Sequence, residues 1–135
     1  IVFHRGKVQT AAYFDGATAT TPVVSKSLAK PITALAIGRA IQLGKVKGLD
    51  QRVSDFIPEW KGQPKGDILV RHLLDMRSGL LVQGVSREPD NHWSRAYLGP
   101  RHDEYIVNTY PLTDKPGSIY EYNNATSELV ALVIE

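Results

Sequence analysis

The chain contains no cysteine and a single methionine. Without thiols it has no disulfide framework, no thiolate nucleophile and no cysteine-ligated metal. It also lacks an excess of one charge: 16 Lys and Arg face 14 Asp and Glu, a formal net charge of +2. With no basic run, that balance argues against nucleic acid and against an anionic membrane surface as partners. No apolar run reaches membrane-spanning length, since Arg39 and Gln42 interrupt the longest candidate. Low-complexity tracts and internal repeats are missing too. Cysteine usage leaves cytoplasm and an exported compartment equally open, and any signal peptide would precede residue 1. What is present is an ordinary globular composition, in a length that can bury a core.

One stretch stands out chemically, Ser27-Leu28-Ala29-Lys30 at the head of a long apolar run. A serine and a lysine three apart on a helix share a face, so the amine can approach the hydroxyl. Serine is a poor nucleophile until a neighbouring base takes its proton, and a desolvated lysine can be that base. Eight serines and eight lysines in this chain give roughly half a Ser-x-x-Lys match by chance, so weight comes only from context. The context is a helix with almost no solvated face: Leu28, Ile32, Leu35, Ile37, Ile41 and Leu43 are interrupted by few polar residues. Such a helix belongs in the middle of a domain. Gly44 supplies its C-terminal stop. Two readings remain at this point: a core helix with a capping serine, or a nucleophile at the outward-pointing N–H groups of a first turn.

Along the rest of the chain, residues 1–4 and 7–14 alternate as two strands around an Arg5-Gly6 turn. Residues 68–76 are expected to form a helix ended by Ser78-Gly79, and residues 104–110 a shorter one. Residues 82–102 show little periodicity and are expected to form a long irregular segment, a functional loop or lid. His72 is read as a structural, hydrogen-bonded histidine. His92 and His102 lie too far apart for a helical metal pair, and His102-Asp103-Glu104 is read as a solvated turn and helix start. Trp93 and Tyr97 either line a pocket or anchor their loop. Asn124-Ala125-Thr126 is formally a glycosylation sequon, set aside in favour of the role the asparagine takes in the resemblance below. No cofactor or metal site is expected.

Four segments together resemble the serine β-lactamase-like hydrolases, a family that includes class C β-lactamases, D-alanyl-D-alanine peptidases and related esterases and 6-aminohexanoate-dimer hydrolase-type amidases. They are Ser27–Ala34, Leu49–Trp60, Ile68–Leu80 and Pro116–Asn124, in the family's order and spread over most of the chain. The last contains Tyr122-Asn123-Asn124, similar to the family's Tyr-x-Asn element. The resemblance implies an α/β fold, an antiparallel sheet flanked by helices with a mostly helical subdomain. Of that fold the chain is expected to hold the N-terminal portion of one catalytic domain. Residues 1–22 would be the strand hairpin and lead-in, and residues 23–135 the nucleophile helix and helical subdomain. It implies Ser27 as the acylated nucleophile, Lys30 and Tyr122 as the groups that move its proton, and Asn124 as a partner for the lysine or the substrate amide. An amine and a phenol sharing a proton titrate as a coupled pair. Two departures stand in the sequence: Pro31 occupies a position where serine or threonine is commoner, and the family's Lys-Thr-Gly or His-x-Gly motif is absent from residues 1–135. That third motif, with its oxyanion-hole strand, is expected downstream of Glu135. The implied activity is hydrolysis of a small-molecule ester, amide or β-lactam through an acyl-enzyme, and the alternative is a binding or sensor protein of the same fold without turnover.

Overall fold

The computed structural model describes residues 1–86 and 88–135. Its sheet is a two-stranded antiparallel hairpin, β1 (Val2–His4) and β2 (Lys7–Thr10), followed by five helices. Arg5 and Gly6 both have positive φ, 49° and 76°, the backbone of a type I′ turn whose twist matches the strands it joins. The second strand ends at Thr10, short of the expected Phe14. Thr10 is already opposite Val2, so β1 has no residue left to pair with a longer strand.

The serine segment forms a tight 3₁₀ turn, Lys26–Leu28, which runs into α1 (Ala29–Gln42). Pro31 falls in the first turn of α1, where a missing N–H removes no intrahelical bond. The departure noted at that position is therefore compatible with the helix. At the other end Gly44, at φ 71°, closes a Schellman motif: Lys45 N–H donates to Ala40 O at 2.9 Å and Gly44 N–H to Ile41 O at 3.0 Å.

The central segment is built from short 3₁₀ turns, Val53–Asp55, Pro58–Trp60 and Pro64–Asp67, leading to α2 (Val70–Leu74). The helix expected over residues 68–76 is shorter at both ends. Leu69 is extended and bridges Arg52, while Met76 adopts a left-handed φ of 54°, which ends a helix. The stretch over residues 82–102 is not wholly irregular. It contains α3 (His92–Leu98), capped by Asn91, whose Oδ1 accepts from Trp93 N–H and Ser94 N–H. Helix α4 (His102–Asn108) begins two residues earlier than the expected helix and ends two earlier, and α5 (Asn124–Ile134) closes the described chain.

The core lies among α1, α2, α4, α5 and the 3₁₀ turns. Trp60, Ile68, Leu73, Leu80, Ile106 and Leu129 are at most 1% exposed. Trp60 Nε1–H donates to Val107 O at 2.8 Å, and Lys65 Nζ stands 5.3 Å from its ring centroid, so the central turns are bolted to the end of α4. Helix α1 packs against α5, yet it is not the fully enclosed helix its composition suggests. Of its side chains only Ile37 is buried, while Ile32 and Leu35 stand 65% and 75% exposed. The physical reason is that α5 covers one side of α1 and no other described element covers the opposite one.

Candidate active site

The backbone leading into Ser27 is unusual: Lys26 has φ 50°, a left-handed conformation uncommon for a residue with a side chain. It turns Ser27 outward, into a cavity of about 660 Å³. Lys30, half-buried on the first turn of α1, lines the same cavity.

Tyr122 comes from 95 residues away, and its hydroxyl lies 2.6 Å from Ser27 Oγ. Lys30 Nζ donates to Asn124 Oδ1 at 2.9 Å and stands 5.2 Å from the Tyr122 ring centroid. All four residues named from the sequence thus converge on one cavity. The Ser27 hydrogen bond, with help from the neighbouring Lys30 charge, lowers the Tyr122 phenol below its ordinary pKa, against a smaller opposing effect of desolvation. Tyr110, on the same cavity wall, is pushed the other way by burial and by Tyr105.

The structure shows how Tyr122 gets there. Gly117 N–H donates to Arg77 O at 2.8 Å and Glu121 N–H to Met76 O at 2.9 Å, so the segment before the tyrosine is laid along the turn that ends α2. His72 supports that turn. Its Nδ1 accepts from Leu69 N–H at 3.2 Å, and its Nε2 would be 2.8 Å from a Cβ on Gly117, so Gly117 leaves the room the imidazole needs. Burial, with Arg71 adding to it, lowers the His72 pKa, which keeps the ring a neutral acceptor. Gly79 plays a similar part, since a Cβ there would run into the Asp114 carbonyl oxygen.

Asn123 is a positioning residue that the sequence reading passed over. It is 6% exposed. Its Nδ2 donates to Leu81 O at 2.8 Å and Leu80 O at 3.3 Å, and its Oδ1 caps α5 by accepting from Ala125 N–H at 2.8 Å. The available signal was an asparagine followed by a residue and an apolar helical run, the pattern of an N-cap. Behind it, Ser78 Oγ and Thr126 Oγ1 are buried 2.6 Å apart and tie the α2 turn to α5.

The alternative left open for Trp93 and Tyr97 resolves in one direction: both line the cavity from α3, with rings stacked 5.0 Å apart. Residues 82–85 line it as well, which puts the expected loop at its rim. His92 lies behind this wall, its Nδ1 2.6 Å from the Tyr105 hydroxyl.

A helical body holding a serine, a lysine, a tyrosine and an asparagine around one cavity is the arrangement expected of the serine β-lactamase-like class. Residues 1–135 match the Beta-lactamase family over their whole length, and the chain belongs to that family. Comparison with curated proteins gives no match. Among solved structures the chain is similar to one from Bacillus anthracis described as a "putative 6-aminohexanoate-dimer hydrolase", with 26% identity and a TM-score of 0.76. The alignment covers 98% of this chain and 38% of that one.

Proposed function

We propose that this chain carries the nucleophilic part of a serine hydrolase that works through an acyl-enzyme. The single observation that carries the reading is the 2.6 Å contact between Ser27 Oγ and Tyr122 Oη, with Lys30 held beside it by Asn124. Ser27 Oγ forms a bond to the substrate carbonyl carbon while its proton passes to the Tyr122–Lys30 pair. The same proton then goes to the departing alcohol or amine as the old ester or amide bond breaks. Water attacks the resulting ester, releases the acid and restores the serine.

The lowered Tyr122 pKa supports its role as the proton acceptor, because a base works best when its pKa approaches the working pH. The Ser27 backbone N–H is the proposed first oxyanion donor, with a second supplied by residues outside this chain. The substrate class is a small ester, amide or β-lactam. The cavity's aromatic wall, Trp93 and Tyr97, suits an acyl group with apolar surface. A linear amide of the kind in the neighbouring structure's name is one member of that class.

The test is covalent labelling of the full protein with a fluorophosphonate and a penicillin, followed by peptide mapping. The expected adduct is on Ser27, and Ser27→Ala abolishes it. Labelling at another serine, or none with several acylating probes, removes the proposal.

A further inference from the structure

Beside the cavity lies a second group of chemically competent side chains that the serine reaction does not use, and of these Glu128 reaches the cavity wall. His102 and Asp103 open α4, and Glu128 projects from the middle of α5, one turn beyond Asn124. His102 Nε2 lies 2.8 Å from Asp103 Oδ1 and 3.1 Å from Glu128 Oε1. Among the described residues this is the group of three His, Asp or Glu side chains whose donor atoms gather within 4.8 Å of one another. We propose that His102, Asp103 and Glu128 bind one divalent transition-metal ion beside the cavity, between α4 and α5.

Three observations carry this. The first is geometric: donors about 2.1 Å from a zinc-like ion stand roughly 3.0–3.4 Å from their neighbours in octahedral or tetrahedral arrangements. Without any rotamer change Nε2 stands 3.1 Å from Glu128, within that spacing, and 2.8 Å from Asp103, just short of it. The second is proton arithmetic. An imidazole nitrogen carries at most one hydrogen, so two carboxylates converging on one Nε2 compete for a single donor. A cation in the proton's place is attracted by all three donors together.

The third observation is charge. Among the described residues no lysine or arginine pairs with Asp103 or Glu128, and the adjacent Arg101 turns to Glu104 instead, at 3.4 Å. Apart from His102 itself, no basic side chain among the described residues therefore offsets the two carboxylates. Their side chains are 41–50% exposed, so an ion reaches them from solvent. An imidazole with two carboxylates suits Zn²⁺, Co²⁺, Ni²⁺ or Mn²⁺ better than Mg²⁺ or Ca²⁺, which prefer all-oxygen sets.

The consequence is local. Glu128 lines the cavity, so a bound ion fastens the start of α4 to the helix that carries Asn124. Its remaining coordination positions are left to water. The site stands apart from the serine chemistry and does not depend on it.

The test uses the full protein, free of any histidine tag and stripped with a chelator. Co²⁺ is titrated and followed by its visible absorption, Zn²⁺ by calorimetry. We expect a saturable site whose affinity falls by more than about ten-fold in His102→Ala and in Glu128→Gln, the loss typical of disturbed coordination. His4→Ala, on the hairpin, leaves it unchanged. Zn²⁺ raises the thermal midpoint of the wild type and not of Glu128→Gln, because only a site present in the native state shifts unfolding. Glu128→Gln keeps the side-chain shape, so its result stands even if His102→Ala does not fold. No binding at millimolar ion, or binding that both substitutions leave intact, overturns the proposal.

Discussion

Phe14 and Leu35, in the first third of the chain, are each 75% exposed, whereas Trp60 and Leu129, in its body, are 1% and 0% exposed. The apolar character is the same and the outcome opposite. In the body, α5 and the 3₁₀ turns close over one another, and Trp60, Ile68, Leu73 and Leu129 find neighbours on every side. At the front, the hairpin pairs only with itself and α1 has a covered side and an open side. Burial thus depends on what lies opposite a side chain, and hydrophobic periodicity alone reports only that something should. The chain spans 38% of the length of the structure it resembles, and the candidate site lies where these two regions meet. Ser27 and Lys30 come from the front, Tyr122 and Asn124 from the body.

The largest effect is expected at that seam. Tyr122→Phe and Lys30→Ala should each slow acylation of Ser27 by roughly 10²–10⁴-fold, the usual worth of general-base assistance. Tyr122 is 49% exposed, so its thermal midpoint should barely move. Near wild-type labelling rates in both variants would show that a different base serves Ser27.

Next comes the contrast between regions. Trp60→Ala should destabilise this chain by about 3–5 kcal/mol, through lost burial and a cavity. Leu35→Ala, on the open side of α1, should stay within about 0.5 kcal/mol. Denaturant melts of the chain by itself measure both. Repeating Leu35→Ala in the full protein sharpens the comparison, because a larger cost there identifies that side of α1 as covered. Equal costs for Trp60→Ala and Leu35→Ala in the chain alone would break it.

Asn123→Ala should cost about 1–2 kcal/mol, the range for a lost N-cap. It should also slow labelling of Ser27, since the neighbouring Tyr122 loses its anchor. The check is a variant that retains the cap: Asn123→Asp keeps the oxygen that accepts from Ala125 but not the Nδ2 bonds to Leu80 and Leu81. We expect it to recover the stability of the helix more than the labelling rate.

The smallest effect is spectroscopic. Of the six tyrosines, Tyr122 should ionise below the ordinary phenol value and Tyr110 above it. As pH rises, the Tyr122 phenolate therefore appears first, and the labelling rate climbs with it. Near-ultraviolet titration should lose that early component in Tyr122→Phe, and Ser27→Ala should move it upward. An unchanged titration in Tyr122→Phe would detach the phenol from the pH dependence.

Much of the site was legible because its parts are local. The Ser27–Lys30 spacing and the Pro-Gly turn before Tyr122 need only a few residues each. Their meeting was not legible from periodicity, since nothing local demands a contact across 95 residues; the resemblance to a family supplied it. Helix α3 escaped because His92–Leu98 is only about two turns long, too short for Trp93, Ala96 and Tyr97 to establish a helical period, and it depends on the Asn91 cap and on packing against α4. The exposure of α1 escaped for the converse reason, as its composition records a burial that the described elements only half provide. Glu128 beside His102 is a product of how α4 meets α5, which no spacing rule encodes.

Asn123 also sets the alignment tolerance of the site. Its side chain holds one end of α5 to the carbonyls of Leu80 and Leu81, and its chain neighbours are Tyr122 and Asn124. A helix turns about 100° and advances about 1.5 Å per residue. A slip of a single position at this cap would swing Asn124 off Lys30 and carry Tyr122 away from Ser27. One amide thus acts as the index pin of the assembly: it fixes the zero from which every later residue of α5, Glu128 included, is counted.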